Sequence, residues 1–359
     1  METSAQTYRF TVTEDREFGS IRLGADAKEF DACGFRPGDS LDIAFENGHR
    51  FEDVPFYSGY YARTGEPVVV RYMGSDEILL AYCFNDCMWK RTGCGEGSTV
   101  TVRRNTAGKY LICQQTMDLW YSEDPADFPT AEAFSNFRPV TGGKIAQGAF
   151  FRGASPVNDS NKRAAVTDGL LAKYGIRRLL DLADTEARIA SYRTRPGYAS
   201  PNATALIETG NASFLGLTAA YRQETYRASL VRGLKETMRH AGPVYIQCTE
   251  GKDRTGFVCM LLEALCGATV AELEWDYMET YAMYYGITRE STPEKYDVVR
   301  SVRFLDMLLW LAEVPEEAGL GTADLAFRAG EYLRSGGMTE RELTALKEYL
   351  TTGVPQNGI

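Results

Sequence analysis

Seven consecutive residues have types and spacing suited to chemistry: Cys248, Thr249, Glu250, Gly251, Lys252, Asp253 and Arg254. An apolar run at 243–247 precedes them and an apolar helical pattern follows. Cys248 and Arg254 thus bracket a loop between a strand and a helix, with five residues between them. Such a loop can curl until its backbone N–H groups converge, which makes an anion-binding nest. The helix after it presents its positive end to the same point. Arg254 supplies a planar fork that matches two phosphate oxygens. Gly251 permits the backbone torsions a tight loop needs.

The field that holds a phosphate dianion also stabilises a thiolate. A free cysteine has a pKa of roughly 8.5, and helix N-termini near cations lower it by several units. Cys248 could then attack phosphorus and form a phosphocysteine that water hydrolyses. Thr249, Glu250, Gly251, Lys252 and Thr255 are the candidate phosphate-binding residues. Thr255 is placed to donate toward the sulfur as it leaves. Charge and positioning suffice for this reaction, so neither a metal nor a cofactor is expected. The plainer alternative is a core cysteine at a strand end. That alternative gives no reason for Gly, Lys and Arg at these spacings.

The proton donor is less sharply indicated. No Asp lies between Leu206 and His240, only Glu208, Glu224 and Glu236. Asp253 is the candidate acid, with a purely structural hydrogen-bonding role as the alternative. Asp181 and Asp184 fall just past a predicted strand, where open α/β sheets place functional residues, or they cap the helix near Thr185. Together with Arg152 they form a candidate accessory set. Lys252 adds a second cation, suited to substrates with extra phosphates or simply solvated. Glu250 is unexpected beside an anion and should point outward.

The elements that must position this loop divide the chain. Residues 1–121 read as a β-rich accessory domain, a sandwich or barrel, with strands predicted at 8–12, 40–45, 67–72, 78–83, 98–103 and 110–114. Residues 122–129 are acidic, contain two prolines and read as a linker. From 130 to 355, apolar runs at 149–152, 178–182, 205–208 and 244–247 alternate with helical patterns at 160–174, 185–193, 222–241 and 255–267. That alternation predicts an α/β layer with a largely parallel sheet flanked by helices. Beyond 268 the pattern is helical, with capping boxes at Thr269–Glu272 and Thr339–Glu342.

Composition sets limits. The chain has 359 residues, 44% hydrophobic and 25% charged, which suits two soluble domains. Its net charge of −10 argues against nucleic acid or anionic membranes as partners. No run of about 18 apolar residues predicts a membrane span. Residues 1–13 carry no secretory pattern. Eight cysteines without a disulfide-like spacing suit a reducing, cytoplasmic setting. Cys83, Cys87 and Cys94 lack a fourth ligand at finger-like spacing, so no zinc site is expected.

The loop Cys-Thr-Glu-Gly-Lys-Asp-Arg-Thr-Gly at 248–256 resembles the signature of a bacterial tyrosine-phosphatase-like family that includes atypical dual-specificity enzymes. Ser135, Asn136, Phe137 and Arg138, with Gly142, Gly143 and the segment 148–155, resemble its opening block. Residues 178–186 resemble its Asp-Leu-Arg strand end. The resemblance spans about 130–350 and implies a cysteine-dependent phosphatase, with Asp253 as acid. The chain departs from it at Gln247, where the family usually has His, and at Ala183, where it usually has Arg. The function expected is phosphomonoester hydrolysis on a protein phosphotyrosine. Phosphoinositides or small phosphoesters are the alternative substrates. A rhodanese-like sulfurtransferase and a non-catalytic phospho-binding module are the more distant alternatives.

Overall fold

The computed structural model describes residues 6–14, 19–71, 76–83 and 87–356. The chain forms two compact units. One comprises Met1–Trp120 with Thr292–Asp306, and the other Tyr121–Ser291 with Met307–Ile359. The segment 292–306, expected from sequence to lie within the second part, groups with the first.

The first unit is built on a closed seven-stranded barrel: β1 (Thr7–Glu14), β2 (Ile21–Asp26), β3 (Ser40–Phe45), β4 (Arg50–Tyr57), β5 (Pro67–Arg71), β6 (Glu77–Tyr82) and β7 (Thr99–Thr106). Their order is β1-β2-β6-β5-β4-β3-β7, and β7 pairs back onto β1. Only β4 and β5 run parallel to each other. Alternation along β2 turns Ile21, Leu23 and Ala25 inward, as the two-residue period of a strand requires. A short helix, Ala27–Ala32, is opened by a capping box between Asp26 and Glu29 and buries Phe30 fully.

The structure corrects the reading of 110–114 as a strand, because Leu111–Met117 is helical. The run is rich in β-favouring residues, but Gln114 bonds both the Ser58 amide and the Ser58 hydroxyl. Those tertiary bonds outweigh a weak local preference.

The second unit carries a five-stranded sheet: β8 (Arg138–Pro139), β9 (Phe150–Gly153), β10 (Arg178–Asp181), β11 (Ala212–Phe214) and β12 (Val244–Gln247). The order is β11-β10-β12-β9-β8, parallel except for the short β8 edge. The expected strand at 205–208 is instead the end of a helix, Pro201–Glu208, and the strand follows it at β11. Proline at the first helical turn explains the shift, since its fixed φ starts helices readily.

Around the sheet lie α1 (Ala164–Lys173), α2 (Glu186–Arg193), α3 (Pro201–Glu208), α4 (Glu224–Thr237), α5 (Asp253–Leu265), α6 (Val270–Tyr285), α7 (Leu325–Ser335) and α8 (Glu340–Thr352). Every residue of α5 from Thr255 onward is buried, so its apolar character on all faces is that of a central helix. One face of the sheet is packed by Phe137, Phe151, Leu170, Leu179 and Tyr245, with the Phe137 and Tyr245 rings stacked at 5.0 Å. No helix among the described residues is long and apolar enough to cross a membrane.

Both expected capping boxes form, at Thr269–Glu272 and Thr339–Glu342. At the second, burial pushes the Glu342 carboxyl up, but Lys235 and the Thr339 amide and hydroxyl outweigh it and hold the group at about 2. A depressed carboxyl stabilises the fold above its unfolded pKa and loses that contribution as pH falls toward 2. Thr339→Ala should therefore cost about 1 kcal/mol at pH 7, while Thr339→Ser retains most of it. Urea unfolding of the three proteins checks this, and identical midpoints would show that the cap contributes nothing.

Candidate active site

The loop between β12 and α5 is shaped from outside. Each of three successive carbonyls accepts hydrogen bonds from its surroundings. The Thr249 carbonyl takes the Ser155 amide at 3.2 Å and Asn161 Nδ2 at 3.2 Å. The Glu250 carbonyl takes the Tyr284 hydroxyl at 2.8 Å and Asn136 Nδ2 at 3.3 Å. The Gly251 carbonyl takes Asn136 Nδ2 and Arg152 Nη2, both at 3.0 Å. A planar peptide points its N–H opposite to its C=O. With the carbonyls held outward, the N–H groups face the inside of the curl. Among the described residues, the amides of Thr249 to Asp253 donate to no acceptor of the chain. Amides left free in this way are available to an anion.

Two glycines make the curl sterically allowed. Gly251 sits at φ +68°, and a Cβ there would lie 2.3 Å from the Gly153 carbonyl. Gly153 in turn leaves room for the Tyr245 hydroxyl and the Ser135 carbonyl, which a Cβ would strike at 2.4 and 2.9 Å. At Gly153 and Gly251, strand β9 and the loop thus meet backbone to backbone.

Cys248 is buried, at 2% exposure, one residue beyond the end of β12. Arg254 is half-buried and already ordered: Nη1 donates to the Leu217 carbonyl at 2.9 Å and Nη2 to Thr249 Oγ1 at 3.3 Å. Thr255 is fully buried, and its hydroxyl has no hydrogen-bond partner among the described residues. Asp253 is exposed and opens α5, where a carboxylate also suits the helix dipole. Lys252 is ion-paired with Glu250 at 3.0 Å and donates to the Tyr285 hydroxyl at 3.2 Å. Burial works against its charge, but Asp253 and Glu250 more than compensate and raise its pKa well above the usual value. The Glu250 carboxylate is also bound by the Tyr121 hydroxyl at 2.8 Å.

The accessory candidates occupy different places. Arg152 is fully buried, with its guanidinium divided between Asp276 and the Gly251 carbonyl. Asp181 ends β10 opposite Gln247, where Oδ1 accepts the Ala183 and Asp184 amides at 2.8 and 2.9 Å. Asp184 accepts from Tyr192 at 3.0 Å and lies in the field of Arg254. The helix cap itself is Thr185.

Several contributors had no sequence signal. Asn136 belonged to a recognised block, but Tyr284, Tyr121 and Asn161 come from distant segments that only folding brings to the loop. Tyr226 on α4 is buried, its hydroxyl is unpartnered among the described residues, and it lies in the fields of Cys248 and Arg254. A tyrosine in an amphipathic helix reads as core.

Burial and the neighbouring Asp184 charge push the Asp181 carboxyl up to about 7, against the pull of the two amides and Gln247. A raised acid favours the protonated fold: the stability it contributes is present below the unfolded pKa near 3.9 and is lost as pH rises through about 7. Asp181→Asn keeps the acceptor for the two amides and removes the titration. The variant should gain on the parent between pH 5 and 8, by at most about 4 kcal/mol. Melting temperatures across that range test this, and a pH-independent difference would overturn it.

Comparison with known proteins adds one family. The model described as the tyrosine phosphatase family matches residues 130–352. No curated protein matches. A solved structure, an uncharacterized conserved protein from Thermotoga maritima, is similar at 15% identity over 27% of this chain with a TM-score of 0.24. The match covers 35% of that protein's length.

Proposed function

Because this chain belongs to the tyrosine phosphatase family, we propose that it hydrolyses protein phosphotyrosine through a phosphocysteine formed on Cys248. The observation that carries this reading is the outward satisfaction of the Thr249, Glu250 and Gly251 carbonyls, which turns a ring of amides toward the space between Cys248 and Arg254. In the first step the Cys248 thiolate attacks phosphorus. The aryl oxygen leaves with a proton from Asp253. In the second step Asp253, now a carboxylate, takes a proton from the water that attacks the phosphocysteine, and the thiolate is released. The amides and Arg254 stabilise the equatorial oxygens throughout. Thr255, with a hydroxyl that has no other partner among the described residues, donates to the departing sulfur.

The reading favours a singly phosphorylated substrate. Lys252, the second cation, is already balanced by Glu250 and held by Tyr285. A cation so engaged adds little for a second phosphate. An exposed aryl phosphate needs only the nest and Arg254.

Two experiments separate these parts. Cys248→Ser should reduce turnover of a phosphotyrosine peptide by roughly 10⁴-fold or more while tungstate still binds; undiminished turnover would remove the cysteine from the mechanism. Glu250→Gln should release Lys252 and raise activity on a bisphosphorylated inositol headgroup, relative to the phosphopeptide, by about fivefold, equivalent to ~1 kcal/mol. An unchanged ratio would show that the Glu250–Lys252 pair does not set substrate choice.

A further inference from the structure

A small cleft in the second unit, of about 260 Å³, is lined by Thr141, Gly142, Glu263, Ala271, Glu272 and Trp275. Pockets for drug-sized ligands run to roughly 300–1,000 Å³, so this one suits a single polar group. None of its residues serves the reaction proposed at Cys248.

Its wall holds an unusual group. Glu263 lies on the central helix α5 at 1% exposure. Its Oε1 accepts the Gly142 amide at 3.0 Å. Its Oε2 is equally buried and has no hydrogen-bond partner among the described residues. A buried polar oxygen left unpaired costs about 1–3 kcal/mol, and a donor entering the cleft would relieve that. Burial, then the charge of Asp276, pushes this carboxyl well above the ordinary range, with Arg152, the Gly142 amide and Arg138 acting against them, so a cation that pairs with Oε2 displaces its proton to solvent. Gly142 is required for the close approach, because a Cβ there would lie 2.8 Å from the Glu263 carboxyl carbon.

The first turns of α6 supply Ala271, Glu272 and Trp275 to the lining, with Ala271 and Glu272 each beside Trp275 at four- and three-residue spacing. The Glu272 carboxylate is fixed by its capping box with Thr269 and accepts the Gly143 amide at 3.4 Å. Trp275 is 57% exposed, one of few large apolar side chains so placed among the described residues. An exposed indole beside carboxyl groups attracts a cation through its ring face. A planar guanidinium both stacks on aromatic rings and donates a fork of N–H groups to carboxylates.

We propose that this cleft binds a guanidinium group, with Glu263 Oε2 and Glu272 as acceptors and the Trp275 indole as the stacking surface. The group is either a small free guanidine or the arginine side chain of a partner protein.

The test uses the full chain carrying ¹⁵N-labelled tryptophan. The Trp275 indole signal is assigned by its loss in Trp275→Phe. Titration with methylguanidinium should shift that signal saturably, whereas neutral methylurea should not. Glu263→Gln keeps an acceptor for the Gly142 amide but cannot ionise and turns an N–H₂ toward the cation, so it should weaken the response at least tenfold. Glu272→Ala, on the surface of the cleft, should also weaken it and remains informative should the buried variant fail to fold. A non-saturable shift, an equal response to methylurea, or undiminished affinity in Glu272→Ala or in folded Glu263→Gln overturns the proposal. An arginine-containing peptide binding at least tenfold more tightly than methylguanidinium assigns the group to a partner protein, and equal affinity assigns it to a free guanidine.

Discussion

The candidate site depends on one constraint: three consecutive carbonyls of the loop must be satisfied from outside for the amides to face inward. The donors come from β9, α6, the segment before β8 and the loop before α1. At their base lies a buried ion cluster. Asp276 on α6 receives Arg138 Nε at 2.9 Å and is also gripped by Arg152, and all three side chains are 5% exposed or less. Arg138 further donates to the Asp276 and Asn136 carbonyls. The two arginines hold the Asp276 carboxyl below its usual range in spite of burial. Removing one member of such a cluster strands charge in the interior, at about 3–5 kcal/mol. The second hydrogen-bonding arm of Arg152 is what reaches the Gly251 carbonyl, so the cluster and the loop share one side chain.

The electrostatic layout follows from this arrangement. The chain is acidic overall, yet the loop is surrounded by cations that are almost all committed. Arg152 and Arg138 face Asp276, and Lys252 faces Glu250. Arg163, fully buried, is ringed by Tyr121, Phe134 and Tyr284 and donates to the carbonyls of Phe134, Asn161 and Ser122. It therefore orders the segments that supply Tyr121 and Asn161 to the loop. Positive charge serves mainly to fix geometry. Among the described residues, Arg254 is held by a carbonyl and a hydroxyl and its charge is uncompensated by an ion pair.

The glycine contacts show why the geometry tolerates little variation. Gly153 and Gly251 allow β9 and the loop to meet backbone to backbone. Close packing at this density leaves no space into which an added methyl could relax. The central helix α5 is buried along nearly its whole length, so its N-terminus is held in place by core packing.

Much of this was determined by local sequence. The spacing of Cys248, Gly251 and Arg254 between an apolar strand and an apolar helix follows from periodicity and torsional preference, and the strand and helix form where expected. The capping boxes at Thr269 and Thr339 are equally local, since each needs only residues three apart. Tertiary structure decided the rest, because those interactions join segments far apart in the chain. It closed the β-rich part into a barrel, turned 111–117 into a helix through Ser58 and placed the parallel edge strand at 212–214. It also set Glu250 on Tyr121, and brought Tyr226 toward Cys248. No pattern of neighbours in the sequence encodes which distant side chain will satisfy a given carbonyl, and that satisfaction is what shapes the loop.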